Sequence, residues 1–430
     1  MSTRLTDSLA STESLSEIFC DAAVLQAMLD FESALARAEA QAGVIPAVAA
    51  EAITSAARTE FFNASSIARD AMDAGTPAIP LVKALTEHMR SSGSDAAGWV
   101  HWGATSQDVI DTALVLLLHR SRAVLAADQQ RLSRALLRLS DEHAESVMLA
   151  RTLLQPAPPT TFGLKAASWR AAANRSWRRA ELAFDEALIL QFGGASGTLA
   201  ALGAVGPTVS AHLANELGLT LPEAPWHAHR DRLAALVSAL GIYTGALGKM
   251  ARDLCLLMQH EVGEVSEGNP GGSSTMPHKR NPTSATIALA AAARAPGLVG
   301  SYLGCLLQEH ERGVGGWQAE WPLVRGIVEA AGVAVNRMAN AAETLQVFPD
   351  RMRANIEATR GAVFSERAMI ELGRTLGRDR AKAVIEETLR SGRRLAELRE
   401  EHRLPADIDQ PEAYLGSNEF FRGELLKDPE

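Results

Sequence analysis

The sequence predicts an essentially all-α protein built around a bundle of five long helices, and three observations carry that reading. No Gly or Pro interrupts the chain between Gly103 and Pro156 or from Leu164 to Phe192. Elsewhere, apolar residues recur at the 3–4 spacing that places them on one helical face. No stretch sustains the alternation of β-branched and polar residues that marks a half-buried strand, and only three of 430 residues are Tyr. At this length one ordinary core is not enough, so two to four domains or one elongated body are expected.

The elements follow in order. From Leu15 to Ala42 the apolar positions Leu25, Met28, Leu35 and Ala38 define an amphipathic helix, which Gly43 and Pro46 stop. After Asp108 a helix of about 40 residues, roughly 60 Å long, is expected, and helices of that length belong to bundles whose members cover one another. Further helices are expected over 164–192, about 230–265, from Thr283 with a kink at Pro296, and over 322–347. Loops rich in Gly or Pro remain at 73–80, 155–159, 192–206, 221–226 and 268–282, where backbone and polar side chains can converge on a ligand. Three domains are expected: 1–108, a central bundle 109–348 and 349–430.

Composition excludes several classes. The formal charge of −9 gives no basic surface for phosphate neutralisation, so nucleic acid is not an expected partner. Cys20, Cys255 and Cys305 have neither metal-type nor redox-type spacing, so no zinc site or disulfide framework is expected. The N-terminus has no apolar leader, and the longest apolar run, Ala113 to Leu118, is far too short to span a bilayer. A soluble, cytoplasmic protein with no membrane partner is the expectation.

Three segments could carry chemistry. In Gly271-Gly272-Ser273-Ser274-Thr275-Met276-Pro277-His278-Lys279-Arg280-Asn281-Pro282, paired glycines let backbone N–H groups face an anion, while Lys279 adds charge and the prolines restrict conformation. A flexible basic turn between helices accounts for the same composition. In His101-Trp102-Gly103-Ala104-Thr105-Ser106-Gln107-Asp108, a hydroxyl could cap the longest helix, and the helix N-terminus suits a carboxylate. The third segment is Arg151-Thr152-Leu153-Leu154-Gln155-Pro156-Ala157-Pro158-Pro159-Thr160-Thr161-Phe162-Gly163.

Taken together these strings resemble the fumarase/aspartase superfamily. The first matches its signature loop, G-S-S-x-M-P-x-K-x-N-P, at every fixed position, and the resemblance spans roughly residues 17–380. It implies that Ser273 is the catalytic base in the elimination direction, its alkoxide stabilised by Lys279 and loop amides. It further implies that Ser274, Met276 and Asn281 contact substrate, as do Thr105, Ser106 and Gln107, with His101 beside them, and Thr152 and Gln155. Arg312, in Gln308-Glu309-His310-Glu311-Arg312, is a candidate for a further carboxylate by bidentate pairing, against a structural ion pair with a neighbouring acid. For His101 and His227 the reading as ordinary packed, hydrogen-bonded histidines is the preferred one. The resemblance also implies chemistry without metal or organic cofactor, and a homotetramer whose active sites combine loops of several subunits.

One departure narrows the family. Where lyases of the superfamily carry a catalytic histidine, this chain has Leu153, as the cycloisomerase branch has a bulky apolar residue. The segments 78–85, 191–197 and 225–232 resemble the same carboxymuconate cycloisomerase branch. That resemblance implies a small tricarboxylate substrate and lactonisation, in which the attacking oxygen is a carboxylate that needs no general acid. The alternatives are a sulfonated muconate, an adenylosuccinate-type lyase, or a non-catalytic structural member. Against the adenylosuccinate reading, the nucleotide-holding positions read Leu9, Ala10, Gln318 and Trp321.

Overall fold

The computed structural model describes residues 5–269, 271–272 and 275–427. The five expected helices are present as Ser106–Glu142, Phe162–Ala187, Asp231–Leu257, Thr283–Gly304 and Gly316–Thr344. The chain divides into two compact units, each assembled from three stretches: 1–128, 176–245 and 290–336 in the first, and 129–175, 246–289 and 337–430 in the second.

In the first unit, the expected N-terminal helix is broken into Glu13–Ile18 and Asp21–Gln41. Its predicted apolar stripe is real: Leu25, Met28, Leu35 and Ala38 are no more than 2% exposed. The Asp231–Leu257 helix is long and apolar enough to cross a membrane by length and composition alone. Tyr243, Leu247 and Leu254 on it are nonetheless almost fully buried, as in the core helix of a bundle. Its observed end at Leu257 is short of the expected 265. The last of the five starts at Gly316, six residues before Pro322, which it accommodates in its first turns.

The second unit adds a small hairpin to the essentially all-α fold. The longest helix stops at Glu142, and Val147–Thr152 and Gln155–Thr161 form an antiparallel hairpin with a bulge between Leu149 and Ala150. No alternation announced the first strand because Val147, Met148 and Leu149 are all buried; Val147 and Leu149 pack with Ile356, Val363 and Phe364. The second strand, expected as a loop, carries three prolines, which a two-stranded ribbon tolerates because its outer N–H positions need no partner. Gly163 lets the next helix start against the end of the first: a Cβ there would lie 2.7 Å from the Ser140 carbonyl and the Ala144 Cα.

The hairpin turns on Leu153 and Leu154, both with positive φ (52° and 64°) and 96% and 72% exposed. A two-residue turn of this hand suits Asn-Gly, and the left-handed region costs an ordinary side chain roughly 1–2 kcal/mol. Replacing Leu153→Asn together with Leu154→Gly is therefore expected to raise stability by about 1–2 kcal/mol, read as a higher urea midpoint at unchanged slope. An unchanged or lower midpoint would show that the turn is not strained.

Candidate active site

In the first unit the site is built on the start of the Ser106–Glu142 helix. The Asp108 carboxylate, fully buried, accepts the Thr105 N–H at 3.1 Å, which closes the helix end from within. The capping hydroxyl considered for Thr105 is thus not needed, and Thr105 and Ser106 stand half-buried at the helix N-terminus. Asp108 also accepts from the Gln191 amide (3.1 Å) and the backbone N–H groups of Gly193 (3.0 Å) and Gly194 (2.9 Å). His227 Nε2 lies 2.7 Å from the same carboxylate, so His227 is a packed, hydrogen-bonded histidine.

The Gly193–Ala195 loop is thereby fastened to the helix start. Gly194 has φ of 66°, and a Cβ on it would meet the Gly103 carbonyl at 2.8 Å. On the same loop Arg312 donates from Nη2 to the carbonyls of Gly194 (3.0 Å) and Ala195 (2.9 Å). Its acceptors are neutral, and no ion pair compensates its charge among the described residues, so the structural ion pair weighed for Arg312 is not what holds it. His101, four residues before Thr105, contacts Glu32 Oε1 through Nδ1 at 2.6 Å.

Gln107 is turned inward, 1% exposed, its amide nitrogen donating to the His227 carbonyl (2.8 Å) and to Asp111 (3.1 Å). It joins a buried charge network that sequence reading missed. Arg230 forms two hydrogen bonds to Asp111 (2.7 and 2.9 Å) and reaches Glu320 at 2.8 Å, with all three side chains fully buried. Trp317 Nε1 and the Tyr302 hydroxyl donate to the two acids, and the Trp226 ring lies 4.5 Å from the guanidinium. Burial opposes the Arg230 charge, yet the two acids hold its pKa above the ordinary arginine range. Burial raises the Glu320 pKa against the pull of Arg230.

Two further acids were missed, although their place on an apolar helix face was a signal that could have found them. Leu25, Met28, Glu32, Leu35 and Glu39 share one 3–4 stripe, so two carboxylates sit on an otherwise apolar helix face. Neither Glu39 oxygen has a hydrogen-bond partner, and burial, assisted by Glu32, pushes its pKa up to about 9. An unfolded chain ionises this acid near 4.5, so between about pH 5 and 9 unfolding releases a proton and stability falls as pH rises. Glu39→Gln should flatten that slope and stabilise the protein at the alkaline end, as measured by urea unfolding across pH. A slope identical to the parent's would show that Glu39 is not held neutral.

The second unit presents the other candidates on two elements. Thr152 and Gln155 pair at the end of the hairpin, exposed on either side of the Leu153–Leu154 turn. The signature loop is closed at its base by reciprocal bonds between Gly271 and Asn281 (3.1 and 3.0 Å), and the Asn281 amide donates to the Gly272 carbonyl at 3.3 Å. Below it the buried Glu267 carboxylate accepts the N–H groups of Ser284 (3.0 Å) and Ala285 (2.9 Å), capping the Thr283–Gly304 helix. Met276 and Lys279 lie exposed on the loop. Ser273 and Ser274 lie outside the described residues.

An all-α scaffold that fastens an uncompensated arginine and a histidine around a helix N-terminus, with a stem-closed Gly-Ser loop besides, has the make-up of an enzyme for small carboxylates. A family model described as lyase matches residues 9–297. A 3-carboxy-cis,cis-muconate cycloisomerase from Pseudomonas aeruginosa is 46% identical over 403 residues, covering 92% of this chain and 88% of the relative. Another from Bradyrhizobium diazoefficiens is 45% identical across 99% of both chains. The crystal structure of 3-carboxy-cis,cis-muconate lactonizing enzyme from Pseudomonas putida matches with a TM-score of 0.93 at 40% identity, covering 99% of this chain and 98% of that one. The chain belongs to this lyase family, the fumarase/aspartase superfamily.

Proposed function

We propose that this protein is a cycloisomerase that interconverts 3-carboxy-cis,cis-muconate and 4-carboxymuconolactone. The observation that carries the reading is the similarity of 45–46% to two relatives bearing that activity in their names, one of them matched across 99% of both chains. In lactonisation one carboxylate of the substrate adds to a double bond, and the carbon beside another carboxylate takes up a proton. Ser273 carries that proton in both directions, with Lys279 and the loop amides stabilising its alkoxide. The oxygen that leaves in reverse is already a stable anion, so Leu153, which can transfer no proton, is no handicap.

Thr105, Ser106 and Arg312 bind substrate carboxylates in this reading, through the helix N-terminus and the guanidinium. Gln107, locked inward, supports the helix start, and Thr152, Gln155, Ser274, Met276 and Asn281 are the further substrate contacts in this reading. The subunit is organised as three domains, 1–108, 109–348 and 349–430, and assembles as a cytoplasmic homotetramer with sites shared between copies. Exposure of the hairpin tip and of the signature loop supports completion of the site by other copies.

Adenylosuccinate is not a substrate. A nucleotide phosphate needs fixed donors, and leaving it unpaired in a closed site costs several kcal/mol, with each ~1.4 kcal/mol a tenfold loss of affinity. Trp321 stands edge-on to Trp317 with ring centroids 5.0 Å apart and borders a cavity of about 330 Å³ with mostly apolar walls, Leu25, Met28, Ile67 and Leu114 among them; its charged lining is Asp21 and Arg325, the latter already ion-paired with Glu329 at 3.8 Å. The test is an ultraviolet assay of the purified protein on 3-carboxymuconate, 3-sulfomuconate and adenylosuccinate, run in excess chelator. Turnover of 3-carboxymuconate alone is expected. Preference for the sulfonate would move the substrate, efficient adenylosuccinate cleavage would overturn the branch, and dependence on a divalent ion would overturn the mechanism.

A further inference from the structure

We propose that Glu32 is a positioning residue for the first-unit site: it holds His101 by Nδ1 from inside the protein, so that Nε2 is offered, protonated, to a carboxylate of the substrate. The inference rests on the carboxylate-binding reading above and adds a residue that no signature motif contains.

The geometry carries it in three steps. Glu32 is 1% exposed, and of its two oxygens Oε1 meets His101 at 2.6 Å while Oε2 has no hydrogen-bond partner. A buried carboxylate so poorly supplied is costly unless its one partner brings a compensating charge, which an imidazolium does. Second, His101 has φ of 60°, a conformation disfavoured for a residue with a side chain, so its surroundings impose where the ring stands. Third, the side chain retains 19% exposure although its Nδ1 edge is taken, and the chain runs directly from it through Gly103 to the Thr105 helix start. Gly103 in turn touches the Gly194 loop that Arg312 holds.

The charges around the ring support this. Burial lowers the His101 pKa, but the charge and hydrogen bond of Glu32, with Asp108 contributing more distantly, outweigh it and the net direction is up. Glu39, the next acid on the same stripe, stays neutral up to about 9 and so adds no competing charge at neutral pH. His101 therefore remains cationic further into the neutral range than a free histidine, and the donor is lost as pH rises through its raised value.

The test compares the parent with Glu32→Gln and Glu32→Asp, following the His101 imidazole by NMR titration and measuring kcat and KM for 3-carboxymuconate across pH. Glu32→Gln is expected to lower the His101 pKa by about one unit or more and to move the alkaline limb of kcat/KM down with it. KM should rise about tenfold or more with a smaller change in kcat, as when substrate binding rather than chemistry is lost. Glu32→Asp should recover part of both. A merely structural Glu32 would alter the thermal midpoint without moving the titration. An unchanged titration and pH profile overturns the proposal, as does a KM increase undiminished in a His101→Gln background. If Glu32→Gln does not fold, the parent decides: a His101 titrating at or below the ordinary imidazole value is the overturning result. Should the parent leave 3-carboxymuconate untouched, the functional reading fails by itself, and the titration still decides whether Glu32 controls His101.

Discussion

Ser273→Ala is expected to lower turnover of 3-carboxymuconate by about three orders of magnitude or more, with the unfolding midpoint unchanged. A serine hydroxyl is a weak base in water, so its use as one demands an environment that favours the alkoxide: a nearby lysine, backbone amides and exclusion of solvent. Gly272 and Lys279 flank it on a loop whose base is closed by the Gly271–Asn281 bonds and seated on the Glu267-capped helix. Leu153, at the position where lyases of the superfamily carry a histidine, can transfer no proton in place of the serine. The ultraviolet assay of purified variant against parent checks this; turnover within tenfold of the parent at equal stability would remove Ser273 from the proton-transfer role.

The second large effect is on stability. Arg230→Leu should destabilise the protein by about 3–5 kcal/mol, or prevent its soluble expression, because it leaves Asp111 and Glu320 buried and facing each other without their cation. Each acid keeps only neutral donors, Trp317 and Gln107 on Asp111, Tyr302 and Gln308 on Glu320. Removing the negative charges as well, with Asp111→Asn and Glu320→Gln in the Arg230→Leu background, should recover a large part of that loss, since the three side chains act as one unit. Urea unfolding of the single and triple variants measures both. A single-variant loss below about 1 kcal/mol would show that water or relaxation satisfies these acids, contrary to their full burial.

Much of the architecture was legible in the sequence for a simple reason: long helices need only local compatibility and one apolar stripe, both of which a chain displays openly. The five rods, the apolar stripe of the first long N-terminal helix and the loops at 192–206 and 268–282 follow from residue spacing and from where Gly and Pro fall. The motif resemblance added the superfamily, because Gly271 to Pro282 and Thr105 to Asp108 are contiguous strings whose chemistry does not depend on distant partners for recognition.

Tertiary structure alone decided the rest, and in each case the deciding contact joins residues far apart in the chain. The Val147–Thr161 hairpin was invisible because its first strand is buried without alternation and its second is rich in proline. That Asp108 would gather Gln191, Gly193, Gly194 and His227, and that Arg312 would clasp the same loop by its carbonyls rather than an acid, cannot be read from spacing. Arg230, just ahead of the Asp231–Leu257 helix, likewise pairs with Asp111 and Glu320 from two other helices. Glu32 and Glu39 were missed in the sequence although they interrupt an apolar stripe, and only the fold separates them, giving Glu32 a histidine and leaving Glu39 neutral. Hydrophobic periodicity is a property of a segment and is written locally; whether a buried charge is matched depends on what packs against it, and that is set only when distant segments meet.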